Sequence, residues 1–194
     1  MVPYLLSGAG TWTGITSTEI ERLDKIQDFF WRVMLRVPES CPRIALRAET
    51  RMIGMKHRVW QEKLLLLRRI KNKNRQSLSR KIFEEQRANN WPGLSREVRD
   101  ICKEINLPDI NDMDISEGEI KQAVFDHHYG ELVANISKSK KMMRHKEEDF
   151  KQVQSYMKGK SVENIRIAFR GVRWWMTSRA TSRSSSGGRE GRLH

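Results

Sequence analysis

Apolar and polar positions alternate at helical spacing along most of the chain. Thr16-Ser17-Thr18-Glu19 fits a capping box, in which a hydroxyl and a carboxylate three residues apart satisfy free N–H groups at a helix start. Behind it Ile20, Leu23, Ile26, Phe30, Val33 and Val37 recur every three or four residues and form one apolar stripe. The stripe ends at Pro38, which cannot continue the backbone ladder, so a helix is expected over 17–36. After the turn around Pro38-Glu39-Ser40-Cys41-Pro42 a short helix is expected over 43–50, and Gly54 punctuates before a second long apolar segment. There Met55, Val59, Leu66 and Ile70 make one stripe, and Trp60, Leu64 and Leu67 a neighbouring one. This predicts a helix over 55–72 with a broad apolar face, buried on more than one side.

Leu78, Ile82 and Phe83 place a further helix within 77–87, closed by the breaker run Asn89-Asn90-Trp91-Pro92-Gly93. The next carries Leu94, Val98, Ile101 and Ile105 and stops at Leu107-Pro108-Asp109. Ser116-Glu117-Gly118-Glu119 is a second capping box, with Ile120, Ala123 and Val124 behind it, and predicts a helix over 117–136. Residues 137–170 read as a charged helical arm. Residues 171–194 become an Arg/Ser/Gly tail too poor in apolar side chains to offset the entropy of ordering. No internal repeat occurs, and no alternating run is long enough to demand a sheet. The expected fold class is all-α: an irregular bundle of about six to seven helices over 1–136, the arm, and a disordered basic C-terminal tail.

Charge adds a functional direction. Thirty-seven Lys and Arg stand against 24 Asp and Glu, a formal net charge of +13. Residues 51–100 hold 14 basic and 5 acidic groups, 101–150 hold 7 and 11, and 151–194 hold 10 and 2. Two basic zones flanking an acidic one attract polyanions through counterion release, which puts RNA or DNA first and an anionic membrane surface second. The 38% apolar and 31% charged content argues against wholesale disorder and against a membrane protein. Cys41 and Cys102 form no CxxC pair, so neither a disulfide framework nor a zinc site is read from them, and an intracellular, reducing compartment, nuclear or cytoplasmic, is expected. The first residues have no basic lead-in for a signal peptide and read like the middle of a domain.

The candidate chemistry is thin. Gly8-Ala9-Gly10 with Gly14 lacks the spacing, the preceding strand and the Gly-Lys-Ser/Thr of a phosphate loop, and reads as a turn. His127 and Glu131 stand four apart on one helix face, but two ligands do not make a metal site, and ordinary surface or capping roles are expected for them. No GxSxG elbow, HExxH helix or paired polymerase aspartates occur, so the chain is expected to be no enzyme by itself, with no cofactor, no metal and no small-molecule substrate. The strongest signal is a basic run along the central helix and its exit: Lys56, Arg58, Lys63, Arg68, Arg69, Lys71, Lys73, Arg75, Arg80 and Lys81. Such a run is either a solvated helix flank or a non-sequence-specific contact to the RNA or DNA backbone. Trp91, Trp174 and Trp175 could stack on bases, although tryptophans beside apolar stripes more often belong to a core.

Several blocks, read in order, carry a likeness: Tyr4-Leu5-Leu6-Ser7-Gly8-Ala9-Gly10-Thr11-Trp12-Thr13, Val37-Pro38-Glu39-Ser40-Cys41-Pro42, Ala45-Leu46-Arg47-Ala48-Glu49-Thr50, Gly54-Met55 and Trp91-Pro92-Gly93-Leu94. Together they resemble the segment downstream of the polymerase core in non-LTR (LINE-type) retrotransposon reverse transcriptases, over about residues 1–170. The resemblance implies a region after palm and thumb, with the catalytic aspartates of that RNA-directed DNA polymerase upstream of this chain and the upstream core as a partner. It also implies a cysteine knuckle near the C-terminus, yet no cysteine follows Cys102. Trp174-Trp175-Met176-Thr177 has nearly fixed codons, and an alternative frame across them encodes Val-Asp-Asp. A frameshift near 170–173 is therefore expected to have replaced the knuckle by the low-complexity tail.

Overall fold

In the computed structural model the described residues are 6–110 and 113–139. They form a 3-10 turn, Ala9–Thr11, and six α-helices: α1 Ser17–Leu35, α2 Arg43–Thr50, α3 Met55–Lys71, α4 Leu78–Ala88, α5 Leu94–Glu104 and α6 Glu117–Lys138. No strand occurs among them, so the fold is all-α as the spacing predicts, with each helix within about two residues of its expected bounds. No helix among the described residues is long and apolar enough to cross a membrane. Most of the predicted charged arm and all of the predicted tail, with the proposed frameshift, lie outside the described residues.

Both capping boxes close. The Thr16 hydroxyl accepts from the Glu19 N–H at 3.3 Å while the Glu19 carboxylate accepts from the Thr16 N–H at 2.8 Å. The same exchange joins Ser116 and Glu119 at 3.2 and 2.8 Å. Two of the α-helices thus begin on side chains that satisfy their own first turns, and α1 and α2 end on left-handed Arg36 and Arg51.

The long helix α3 is the centre. It packs against the 3-10 turn, α1, α4, α5 and α6, and its Met55, Val59, Leu64 and Leu67 are fully buried. Two apolar cores flank it. One gathers Leu64, Leu67, Phe83, Val98, Ile101 and Ile120 from α3, α4, α5 and α6; the other joins Leu35, Cys41 and Leu46 of the α1–α2 arm to Leu132 and Ile136 of α6. Helix α6 reaches both because Ile120, Val124, His128, Leu132 and Ile136 repeat every four residues and are all buried.

Helix α1 departs from its predicted packing. The inward residues are Asp24, Gln27, Asp28, Trp31 and Leu35, whereas Ile26, Phe29 and Val33 are 45%, 66% and 55% exposed. The reason is the α2–α3 joint, where Met52 and Gly54 are buried and backbone groups need partners. Asp24 accepts from the Met55 N–H at 2.9 Å and so caps α3 from α1, because Gly54 at the N-cap has no side chain to do so. The Ile53 carbonyl accepts from Gln27 and Arg58, and the Met52 carbonyl pairs with His128 at 3.1 Å. Arg47 stands 2.6 Å from Asp24, off the direction of an ideal N–H bond, and Arg43 pairs with Asp28. Burial pushes the Asp28 carboxyl up, and the attraction of Arg43 and Arg47 offsets this only in part. Polar needs at the joint therefore turn the polar face of α1 inward.

The glycines near the start serve packing. A Cβ on Gly10 would lie 3.0 Å from the Glu62 carbonyl oxygen and 3.0 Å from the Leu66 Cβ, so the 3-10 turn sits directly on α3. Gly8 adopts φ 73°, the left-handed region open to glycine. Gly10→Ala is expected to lower stability by about 1–3 kcal/mol through overpacking against backbone; urea denaturation followed by circular dichroism reads it, and an unchanged midpoint would contradict the close approach.

Candidate nucleic-acid interface and histidine cluster

The basic run separates into two groups once α3 is placed. Lys63 is buried in an ion pair with Glu97, whose other oxygen accepts from the Gly14 N–H at 2.8 Å. Arg68 donates to the Ile115 carbonyl at 2.8 Å, and Lys71 donates to the carbonyls of Ile110 at 2.9 Å and Met113 at 3.0 Å. These cations tie the α5–α6 connection to α3. Arg58 bonds the Ile53 carbonyl at 3.3 Å, and burial lowers its pKa against the pull of Glu62. Lys56 is held by Glu104 at 2.9 Å and Glu131 at 3.2 Å, and lies 4.4 Å from the centre of the Trp60 ring. Although burial opposes its charge, those two carboxylates raise its pKa.

The second group faces solvent at the end of α3 and across the link to α4. Arg69, Lys73, Arg75 and Lys81 are exposed. Lys73 bonds the Ser79 hydroxyl at 3.3 Å, and Arg80 bonds Glu84 at 2.9 Å and the Lys73 carbonyl at 2.8 Å, which shapes the link. Arg69 shares its surroundings with α6: Lys121 foremost, then Arg69 and Arg68, lower the pKa of the exposed Glu117. Lys56 and Lys71, at opposite ends of α3, are about 22 Å apart along the axis at the rise of an α-helix. The ten basic residues therefore do not form one surface; the compact exposed set is Lys73, Arg75 and Lys81, with Arg69 a turn away and the half-buried Arg80 bracing the link between them. Trp91 is 51% exposed, beyond α4, while Trp174 and Trp175 lie outside the described residues.

A feature that spacing alone does not reveal lies at the other end of α3. His57 Nε2 is 3.1 Å from His127 Nδ1 and 3.5 Å from a Glu131 carboxylate oxygen. His57 is 2% exposed, and its ring meets those of Trp60, His127 and His128 at centroid distances of 5.2, 5.3 and 4.8 Å. His127 and Glu131 are half-buried on neighbouring turns of α6. The i,i+4 pair was legible, but its third member stands 70 residues away and only the packing of α3 on α6 brings it in.

Comparison with protein-family models, with curated proteins and with solved structures finds no match to this chain. Its own residues must carry the functional reading.

Burial lowers the His57 pKa from 6.5 to about 2, and the neighbouring His128, Lys56, His127 and Arg47 act in the same direction. Burial also lowers His128, against its bond to the Met52 carbonyl. The folded chain then keeps His57 neutral while the unfolded chain takes up a proton below about pH 6.5, so stability present above that pH is lost as the pH falls toward 2. With a chelator present, urea midpoints should fall between about pH 7 and about pH 5, and His57→Gln should shrink that fall. An equal fall in both proteins would contradict a neutral, buried His57.

Proposed function

We propose that this chain is the helical segment that follows the polymerase core of a non-LTR retrotransposon reverse transcriptase and that it holds RNA or DNA by the phosphates, without reading sequence. The observation that supports this best is the exposed set Arg69, Lys73, Arg75 and Lys81, gathered at one end of the central helix on a chain of net charge +13. The ordered blocks of likeness support the parentage. In this reading the catalytic aspartates belong to the upstream core, and this chain contributes grip rather than chemistry. The block Val37-Pro38-Glu39-Ser40-Cys41-Pro42 lies on the α1–α2 connection, where Val37 and Cys41 are buried, and so its part is structural.

A second reading, an interdomain packing piece of the parent polymerase, is favoured by one observation. Ile26, Phe29 and Val33 form an exposed apolar row on α1, while Asp24, Gln27 and Asp28 of that helix face inward. In the leading reading the two fit together, the row lying against the upstream core and the basic link lying toward nucleic acid.

Fluorescence anisotropy with a labelled single-stranded RNA and a duplex DNA, over a salt series, tests the proposal. Affinity should fall steeply with salt for both, and each of Lys73→Ala, Arg75→Ala and Lys81→Ala should weaken binding and reduce the salt slope by about 0.7–0.9. Arg68→Ala and Lys71→Ala should instead lower the unfolding midpoint, since both bond backbone carbonyls. No binding at low ionic strength, with self-association relieved by Phe29→Ser, would overturn the leading reading in favour of packing alone.

A further inference from the structure

We propose that His57, His127 and Glu131 form a binding site for a divalent transition-metal ion of the zinc class, clamping α3 to α6 with one coordination position left to water. The three side chains offer ligand atoms that all lie within 4.8 Å of one another. A tetrahedral ion with ligands at about 2.0–2.1 Å separates neighbouring ligand atoms by roughly 3.3 Å. The His57–His127 and His57–Glu131 distances, 3.1 and 3.5 Å, bracket that value. The remaining edge joins two residues one helical turn apart, and Glu131, half-exposed, can close it by a side-chain rotation.

A simple hydrogen-bonded histidine pair accounts for less of this geometry. His57 Nε2 faces both a ring nitrogen and a carboxylate oxygen, and one N–H cannot serve both well at these distances. An ion seated among the three atoms meets one lone pair from each. The donor set, two imidazoles and a carboxylate, suits zinc, cobalt or iron(II), and neither the oxygen-rich cages of calcium and magnesium nor the thiolate sites of copper(I).

The surroundings fit a held ligand set. Glu131 keeps one oxygen toward His57 while Lys56 bonds the other at 3.2 Å, an outer contact of the kind that supports metal-ligating carboxylates. Lys56 is also matched by Glu104 at 2.9 Å, so two carboxylates stand against one ammonium and one negative charge remains to meet the ion. Trp60 closes the apolar side, 5.2 and 5.7 Å from the rings of His57 and His127. His57 and His127 stand 70 positions apart on α3 and α6, so the ion would cross-link two helices that pack directly on each other.

The test is titration of the full chain with Co²⁺, read by its visible ligand-field absorption, followed by displacement with Zn²⁺. The site predicts one saturable equivalent, displaced by Zn²⁺, and a thermal midpoint that rises with Zn²⁺ concentration. His127→Ala and Glu131→Gln change half-exposed positions, and circular dichroism verifies that each stays helical. Both should weaken Co²⁺ binding by about tenfold or more, as loss of ligands or of their supports does, while Asp126→Ala on the exposed side of α6 should leave it unchanged. Absence of a saturable equivalent would overturn the proposal. So would binding that survives His127→Ala and Glu131→Gln, which would put the ion on other histidines, or binding lost equally in Asp126→Ala, which would put it on the acidic helix surface.

Discussion

The buried joint between α2 and α3 governs the arrangement of the described helices. A connection buried in a helical protein brings backbone N–H and C=O groups out of water, and each needs a partner. Here Asp24 and Gln27 of α1, Arg58 of α3 and His128 of α6 supply them, while Arg47 and Arg43 of α2 balance the two aspartates. Every long helix except α4 and α5 thus has a side chain committed to one short stretch of backbone. The joint also explains why α3 can begin on Gly54: the cap comes from another helix, and a Cβ there would lie 3.0 Å from the Arg47 guanidinium.

That constraint passes outward in two directions. It turns Asp24, Gln27 and Asp28 toward the body and leaves Ile26, Phe29 and Val33 facing away, a surface suited to another apolar face. It also sets the depth at which α3 enters the bundle, so that Lys63, Arg68 and Lys71 end beside Glu97 and the carbonyls of the α5–α6 connection. Cations consumed this way stabilise the fold, whereas Arg69, Lys73, Arg75 and Lys81 remain exposed. The first turn of α3 has the same origin: His57 comes to rest beside His127 and Glu131 because the joint seats α3 on α6.

The helices were largely legible in the sequence, for local reasons. Capping boxes at Thr16 and Ser116, breakers at Pro38 and at Asn89-Asn90, and stripes at three- and four-residue spacing are all short-range signals. Which face of α1 turns inward was not legible. Periodicity marks an apolar stripe, and the polar requirement that wins at the joint depends on Met55 and Ile53, which lie 31 and 26 positions from the side chains that satisfy them. The division of the basic run was hidden for the same reason, since Arg68 and Lys71 are spent on carbonyls 47 and 39 positions away. In the second capping-box helix the four-residue stripe runs on through His128, a signal present in the spacing but masked by a polar residue type.

A protein built this way joins a buried polar joint and an exposed basic link at the two ends of one central helix. Its buried polar joint is the claim on which the rest turns, and the unfolding free energy of Asp24→Ala tests it most directly. Loss of Asp24 strips the cap from α3 and leaves Arg47 without its nearest carboxylate. The expected cost is about 3–5 kcal/mol, the scale of breaking a buried charged contact from one side. A loss below about 1 kcal/mol, the scale of an exposed ion pair, would contradict it.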